Sequence, residues 1–156
     1  MTDRNLKIIF LDVDGVINRI DPPRYLTPAR TIDGIFTQAE PELVYWLNLI
    51  VDRTGAEIVL SSSWRYQPDW REALKVSGVV KPLLDRTPTE HIETGERGHQ
   101  IQEWLDHHPQ VERYAIIDDS ADMLPSQLPN FFQTSTAEGL TQEIADAVVR
   151  HLSAAC

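Results

Sequence analysis

The chain has 156 residues, 42% of them hydrophobic and 24% charged, and its formal net charge is −10. This length is that of one ordinary domain, so we expect a single domain over residues 1–156. A negative surface repels phosphate backbones, which argues against an extended nucleic-acid-binding surface, and no apolar run approaches the roughly 20 residues that span a bilayer. We therefore expect a cytoplasmic protein that does not associate with membranes.

Four short apolar runs predict the strands of a sheet. They are rich in β-branched and aromatic residues, and they lie at residues 6–12, 56–62, 113–119 and 130–134. Polar residues are almost absent from the body of the first three runs, as is typical of parallel strands that are buried on both faces. Either Val79–Val80 or Leu83–Leu84 could form one further short strand.

Helical spacing of apolar residues separates these runs. One helix is indicated between Pro41, near its first turn, and Gly55, where a C-terminal cap would lie. The others are indicated at residues 69–76, at Ile101–Leu105 and, after Thr141 as N-cap, at Ile144–Leu152. The alternation of strands and helices predicts a doubly wound α/β domain with a parallel, Rossmann-like sheet and right-handed crossovers.

Residues 19–40 interrupt this alternation, because they contain three prolines and no sustained hydrophobic period. They leave the sheet at the carboxyl end of the first predicted strand, which is the edge where open α/β sheets bind ligands. We therefore interpret residues 19–40 as a short flap over a ligand site and not as a separate lid domain. Residues 79–98 are similarly irregular.

Polar side chains follow three of the predicted strands. They are Asp12 with Asp14, Ser61 with Ser62, and Asp118 with Asp119. Because the carboxyl ends of parallel strands share one edge of a sheet, we expect these groups to converge. Residues two apart in an extended chain point the same way, so the first two aspartates share a face while Val13 points into the protein. Gly15 then lets the chain turn away without a side chain blocking the opening.

Crowded carboxylates raise one another's pKa values, and a hard divalent cation relieves that conflict. Mg²⁺ takes oxygen ligands and commonly bridges carboxylates to a substrate phosphate, so Mg²⁺ is the expected cofactor. One aspartate can then act as a nucleophile while a neighbour acts as acid or base. Ser61 and the N–H groups near it form a natural phosphate cradle, and the phosphoryl oxygens require a cation as well. The candidates for that cation are Arg65, Lys81, Arg86 and Arg97.

Three segments carry a resemblance to a known superfamily. FLDVDGV at residues 10–16, IVLSS at 58–62 and IIDDSADM at 116–123 resemble, in this order, motifs one, two and four of the haloacid dehalogenase (HAD) superfamily. SSSWR at residues 61–65, ERGHQIQEWL at 96–105 and FFQTSTAEGLT at 131–141 are similar to the HAD domain found in RNA-repair (Swiss Army Knife) proteins. The resemblance covers most of the chain and implies a capless HAD-like fold.

The resemblance implies catalytic roles for two aspartates and a phosphate-binding role for one serine. Asp12 would be the nucleophile that forms an aspartyl-phosphate, and it would also bind Mg²⁺. Asp14 would be the general acid/base and would contribute its backbone carbonyl to the metal. Ser61 would hold the phosphoryl oxygens. Ser62 is a second candidate for this role, although its hydroxyl could instead cap the next helix.

The same resemblance implies the remaining metal ligands and the cation. Asp118 and Asp119 would complete the metal site, and Asp119 is the better candidate for direct ligation. The cation of motif three would be Arg97, which matches the narrower RNA-repair group. Lys81 is its rival, because most HAD enzymes use lysine at this place.

Asp14 also favours one reaction within the superfamily. Dehalogenases lack an acid two positions after the nucleophile because a halide leaves without a proton, whereas an alkoxide needs one. We therefore predict a Mg²⁺-dependent phosphomonoester hydrolase that acts on a phosphorylated small molecule or polymer end. One alternative is a polynucleotide-end (3′-phosphate) phosphatase in nucleic-acid repair. The other is a non-catalytic phosphoacceptor like a receiver domain, although an early DxD and a late DD pair are the HAD order.

Four further side chains each have two interpretations. Trp64 and Trp70 lie near the proposed mouth of the site, where they could stack on a base or ring or could pack against the protein. Asp122 could belong to the site or cap the next helix. Arg65 could touch the substrate or form an ordinary surface ion pair.

Overall fold

The computed structural model describes residues 5–20, 30–32, 35–37, 39–89 and 97–153, with the backbone alone for 30–32 and 35–37. The strands in chain order are β1 (Leu6–Leu11), β2 (Arg30–Ile32), β3 (Ile35–Thr37), β4 (Glu57–Leu60), β5 (Asp85–Arg86), β6 (Val111–Asp118) and β7 (Phe131–Gln133). The helices are α1 (Pro41–Thr54), α2 (Trp70–Val76), α3 (Arg97–Asp106) and α4 (Gln142–Ser153), with 3₁₀ turns at Ser63–Tyr66 and Pro125–Asn130.

Five strands form one parallel sheet in the order β5-β4-β1-β6-β7. This confirms the predicted Rossmann-like α/β fold and the four predicted strands, within two residues at each boundary. The additional short strand does not use Val79–Val80, and it consists of the two residues that directly follow Leu83–Leu84. Backbone pairing of this segment begins at Leu84, whose N–H donates to the Ile58 carbonyl at 2.9 Å, while the preceding Leu83 is buried in the core.

The two faces of β1 are buried by different helices. Ile9 and Leu11 belong to the main core, to which α1, α2 and α4 contribute. Ile8 and Phe10 belong to a second core against α3, where the Phe10 ring lies 5.5 Å from the Trp104 ring in an edge-to-face contact. Every second residue of β1 therefore faces α3, and this alternation decides which side chains reach the functional edge of the sheet.

The predicted helix ends are confirmed at α1 and α4. Pro41 begins α1, and Gly55 ends it in a left-handed conformation with φ of 72°. Thr141 caps α4, since its Oγ1 accepts a hydrogen bond of 3.2 Å from the N–H of Ile144.

The predicted flap contains an antiparallel hairpin formed by β2 and β3. Its two ends are tied together, because the N–H and guanidinium of Arg19 both donate to the Glu40 carboxylate and a second guanidinium nitrogen lies 3.1 Å from Glu42. The other flap residues, 21–29, 33–34 and 38, lie outside the described residues. In the described part of the chain, no helix is long and apolar enough to cross a membrane.

Candidate active site

Parallel register places a line of polar residues along the carboxyl edge of the sheet. Leu11 is paired with Leu60 on one side and with Ile117 on the other, so the next residues Asp12, Ser61 and Asp118 lie abreast. Backbone bonds extend the pairing to this level: Asp12 N–H donates to Ile117 O at 3.1 Å, and Ser61 N–H donates to Leu11 O at 2.9 Å. Since Asp12 follows Phe10 by two residues, these side chains lie on the α3 face of the sheet.

Three carboxylates of the described residues meet at this edge and form what we call the carboxylate cluster, Asp12, Asp118 and Asp119. One oxygen of each lies within 4.8 Å of the others. Asp12 and Asp118 are buried, and Asp119 is half-buried. Carboxylate oxygens at this separation are the donor set that a hard divalent cation prefers, so these residues fit a divalent metal ion.

Burial dominates the protonation of the carboxylate cluster. It raises the pKa of Asp12 from the usual 3.8 to about 6, against the effect of the Arg97 guanidinium. Burial likewise raises the pKa of Asp118 to about 6, and the charge of Asp12 adds to that shift. The pKa of Asp119 is also raised, chiefly by burial. Without a cation, the folded protein therefore retains protons on the cluster at pH values where an exposed aspartate has lost them.

Among the described residues, Arg97 is the cation that contacts the cluster. Its Nη1 lies 2.8 Å from Asp12 Oδ1 and 2.9 Å from Asp118 Oδ2. Burial opposes its charge, but Asp118 and Asp12 outweigh that effect and raise the pKa of Arg97. Lys81 lies at the opposite, amino end of β4, where its Nζ is 3.1 Å from Glu57 Oε2 and 3.3 Å from Gly55 O. Of the two rivals, only Arg97 is at the site.

The loop that follows β6 holds the start of α3, and with it Arg97. Asp122 accepts hydrogen bonds from the N–H of Arg97 through its carboxylate (3.3 Å) and from the N–H of Gly98 through its carbonyl (2.9 Å). Gln127 is fully buried and donates to the Gly98 carbonyl at 2.9 Å. Asp122 therefore binds the N-terminus of α3, the helix that precedes it in the chain.

The two predicted phosphate-binding serines have different surroundings. Ser61 is fully buried, and its Oγ has no hydrogen-bond partner among the described residues. A buried hydroxyl without a partner is unusual, and beside Asp12 it is placed to donate a hydrogen bond to a bound ligand. Ser62 Oγ accepts a 3.1 Å bond from the N–H of Trp64 and caps the 3₁₀ turn. Of the two roles considered for Ser62, phosphate binding and capping, the structure therefore shows the capping contact.

Thr87 was not found from the sequence. It follows β5, and its N–H donates to Leu60 O at 2.9 Å, which places Thr87 beside Ser61. Its Oγ1 is buried and, within the described ranges, also without a partner. No local motif marks this residue, because its position depends on a strand of only two residues.

Arg65 neither lies open to a substrate nor forms a surface ion pair with another described residue. It is 2% exposed, and its guanidinium donates to the carbonyls of Ser61 (3.2 Å) and Ser62 (3.0 Å) and to Gln100 Oε1 (2.9 Å). Burial lowers the pKa of Arg65 from its usual value. Arg65 therefore fixes the backbone of the Ser61–Ser62 loop from inside the protein.

The remaining candidates divide between the site and the core. Asp14 is half-buried and accepts hydrogen bonds from Asn18 and from the indole N–H of Trp64. Trp70, in contrast, is buried in the main core. The guanidinium groups of Arg71 and Arg86 lie 4.3 and 5.2 Å from the Trp70 ring centre, so this ring is not an open stacking surface.

A parallel sheet with an aspartate cluster at its carboxyl edge and an arginine across it is the arrangement expected from the resemblance to HAD hydrolases. The family model for the HAD domain in Swiss Army Knife RNA repair proteins matches residues 8–145, and the chain belongs to this family. A solved structure from Legionella pneumophila, described as a putative HAD superfamily (subfamily III A) hydrolase, is similar with a TM-score of 0.43 and 12% identity, covering 96% of this chain and 84% of that one. No curated protein matches the sequence.

Cation binding should stabilise the protein more at about pH 7.5 than at about pH 5. Asp12 and Asp118 lose their protons near pH 3.8 when unfolded and near pH 6 when folded, so the folded state binds more protons between these values. The free energy of unfolding of the metal-free protein therefore falls as pH rises through this window. Mg²⁺ competes with the retained protons at low pH and replaces them as the stabilising charge at high pH.

The measurement is the midpoint of thermal unfolding with MgCl₂, with EDTA and with NaCl of equal ionic strength, across this pH range. An equal Mg²⁺ effect at both pH values would contradict the assignment of the cluster as the cation site.

Gly15→Ala should weaken cation binding, whereas Gly55→Ala should not. Both glycines have positive φ, 83° and 72°, so both variants carry a backbone cost of about 1 kcal/mol. At Gly15 an added Cβ would also clash with the Asp119 carboxylate, lying 2.7 Å from its Cγ, while at Gly55 nothing lies within 4 Å. Titration calorimetry with Mg²⁺ should show an affinity reduced at least about tenfold in the first variant alone. Equal affinities would show that Asp119 does not ligate the metal.

Proposed function

We propose that this domain is a Mg²⁺-dependent phosphomonoester hydrolase that works through an aspartyl-phosphate on Asp12. The observation that supports it most strongly is the position of Asp12. It lies between the hydroxyl of Ser61, which has no partner in the described part of the chain, and the buried carboxylate of Asp118, with Arg97 2.8 Å from its Oδ1. A nucleophile, a hydroxyl donor and a fixed cation thus adjoin one another at one sheet edge, as phosphoryl transfer requires.

Asp12, Asp118 and Asp119, with the backbone carbonyl of Asp14, would hold Mg²⁺, which when bound neutralises carboxylate and phosphoryl charge. Arg97 holds Asp12 and Asp118 in place through contacts of 2.8 and 2.9 Å. Ser61 donates its hydroxyl to a phosphoryl oxygen.

The reaction has two balanced steps. An Asp12 carboxylate oxygen attacks phosphorus, a new P–O bond forms, and the bond to the leaving oxygen breaks with its electron pair. Asp14 gives its proton to that leaving oxygen and releases an alcohol. Asp14 then takes a proton from water, whose oxygen attacks the same phosphorus and breaks the bond to Asp12. Inorganic phosphate leaves, and both aspartates return to their starting states.

Asp12→Asn should abolish phosphate release from p-nitrophenyl phosphate in Mg²⁺. An amide oxygen is a far weaker nucleophile than a carboxylate oxygen, so we expect a loss of at least about 1,000-fold in kcat. Asp52→Asn is the matched control, because Asp52 is exposed on α1, and its activity should equal that of the wild type.

Beryllium fluoride gives an independent measure of the same step, since it mimics a phosphoryl group on an aspartate. It should bind the wild type only with Mg²⁺ and should not bind Asp12→Asn. Full activity of Asp12→Asn would refute the aspartyl-phosphate mechanism. A lasting phospho-aspartate without turnover would instead indicate a phosphoacceptor module.

A polynucleotide 3′-phosphate end is a second candidate substrate, and the match to the HAD domain of RNA repair proteins favours it. The net charge of −10 opposes extended contact with a polyanion. If such ends are substrates, recognition is local, and kcat/KM for 3′-phosphorylated oligonucleotides should not rise with length beyond the terminal nucleotides. Nucleoside monophosphates and phosphopeptides complete the panel. A kcat/KM that rises steadily with oligonucleotide length would contradict local recognition.

A further inference from the structure

We propose that Trp64 and Asn18 are positioning residues for Asp14, and that they direct its proton into the cleft toward the leaving group. The inference rests on the proposed function, in which Asp14 is the acid that protonates the leaving oxygen. It is carried by the hydrogen bonds of the Asp14 carboxyl group, because each of its two oxygens is held by a group that can only donate.

Asn18 holds one oxygen. Its Nδ2 donates to Asp14 Oδ1 at 2.9 Å, and the Asn18 side chain is buried, with 4% exposure. The orientation of the Asn18 amide is set from the other end, since its Oδ1 accepts a 2.9 Å bond from the N–H of Gly15. Because Oδ1 is committed to a backbone donor, Nδ2 must face Asp14.

Trp64 holds the other oxygen. Its indole Nε1–H donates to Asp14 Oδ2 at 3.3 Å. The Trp64 backbone is fixed by the Ser62 cap, and its ring packs against the main core. Arg65, the next residue, bonds the carbonyls of Ser61 and Ser62. The indole N–H is therefore aimed at Asp14 by the same loop that carries the phosphate-binding hydroxyl of Ser61.

These two donors decide where a proton on Asp14 can point. The lone pairs of an indole nitrogen and an amide nitrogen are delocalised and do not accept hydrogen bonds, so neither Trp64 Nε1 nor Asn18 Nδ2 can take the acid proton. Each oxygen of Asp14 keeps one further position, and the proton must occupy one of them. When the bond between phosphorus and the leaving oxygen breaks, that oxygen receives the electron pair and then this proton.

Trp64→Phe tests the role of the indole N–H, because phenylalanine keeps an aromatic ring for the core and removes the donor. The readout is the ratio of kcat/KM for an alkyl phosphate, glycerol 2-phosphate, to kcat/KM for p-nitrophenyl phosphate. An alkoxide needs a proton to leave, whereas p-nitrophenolate does not. We expect this ratio to fall about tenfold in Trp64→Phe, part of the full contribution of an acid. Asp14→Asn removes the acid itself, so its ratio is the lowest that loss of the indole N–H could produce.

Trp104→Phe is the matched control. It also removes an indole N–H that donates to a carboxylate, Asp85 Oδ2 at 2.8 Å, but it does so between α3 and β5, away from Asp14. We expect its ratio to equal that of the wild type, even if its stability is lower. A purely structural role for Trp64 would reduce turnover of both substrates by the same factor, and that outcome overturns the proposal.

Asn18→Asp tests the same inference if Trp64→Phe does not fold. It preserves the size of the side chain and the acceptor for the Gly15 N–H, but it places an acceptor against Asp14 where a donor was. The ratio should fall here as well, and an unchanged ratio in a folded Asn18→Asp overturns the proposal. A wild type that turns over neither substrate in Mg²⁺ would refute the proposed function, which is a different result from an active enzyme with unchanged ratios.

Discussion

The burial of carboxylates at one edge of the sheet is the constraint on which the rest of the site depends. Asp12 and Asp118 are 6% and 0% exposed, so each loses the hydration that an ionised carboxylate needs. Arg97 offsets part of this cost through one nitrogen that contacts both. Their pKa values nevertheless stay raised to about 6, which means that one arginine does not balance the cluster. The fold thus leaves negative charge that is only partly compensated at the place where a cation would bind.

Arg97 can contact Asp12 and Asp118 only because the loop after β6 holds the start of α3 in place. An added Cβ on Gly98 would lie 2.8 Å from Leu124 N and from Gln127 Oε1, so a larger residue would push α3 away from the loop. Asp122 binds the first N–H groups of the helix. The end of β6 and the loop that follows it therefore supply two carboxylates of the cluster and also anchor the helix that carries their counter-charge.

The parts of the site that follow from the sequence are those with a local pattern. Asp12, Asp14 and the Asp118–Asp119 pair end apolar strands, and parallel pairing makes such ends meet. No local pattern distinguishes Arg97 from Lys81, because the choice depends on which end of the sheet each side chain lies at in the folded protein. Arg65 was misjudged for a related reason: its partners are mostly carbonyls, which carry no signature in the sequence.

A difference between net charge and local charge bears on how an acidic chain could bind a phosphorylated ligand. The net charge of −10 is summed over the whole surface, whereas a bound phosphate responds to the charges within a Debye length, about 8 Å in physiological salt. Around Ser61, arginine side chains adjoin the carboxylate cluster. Burial lowers the pKa of Arg65, the nearby charges of Arg97 and Arg86 lower it further, and its guanidinium donates to the Ser61 carbonyl. A divalent cation in the carboxylate cluster would add to these arginines the positive charge that the cluster lacks, and a site confined in this way favours a compact anion over a long polyanion.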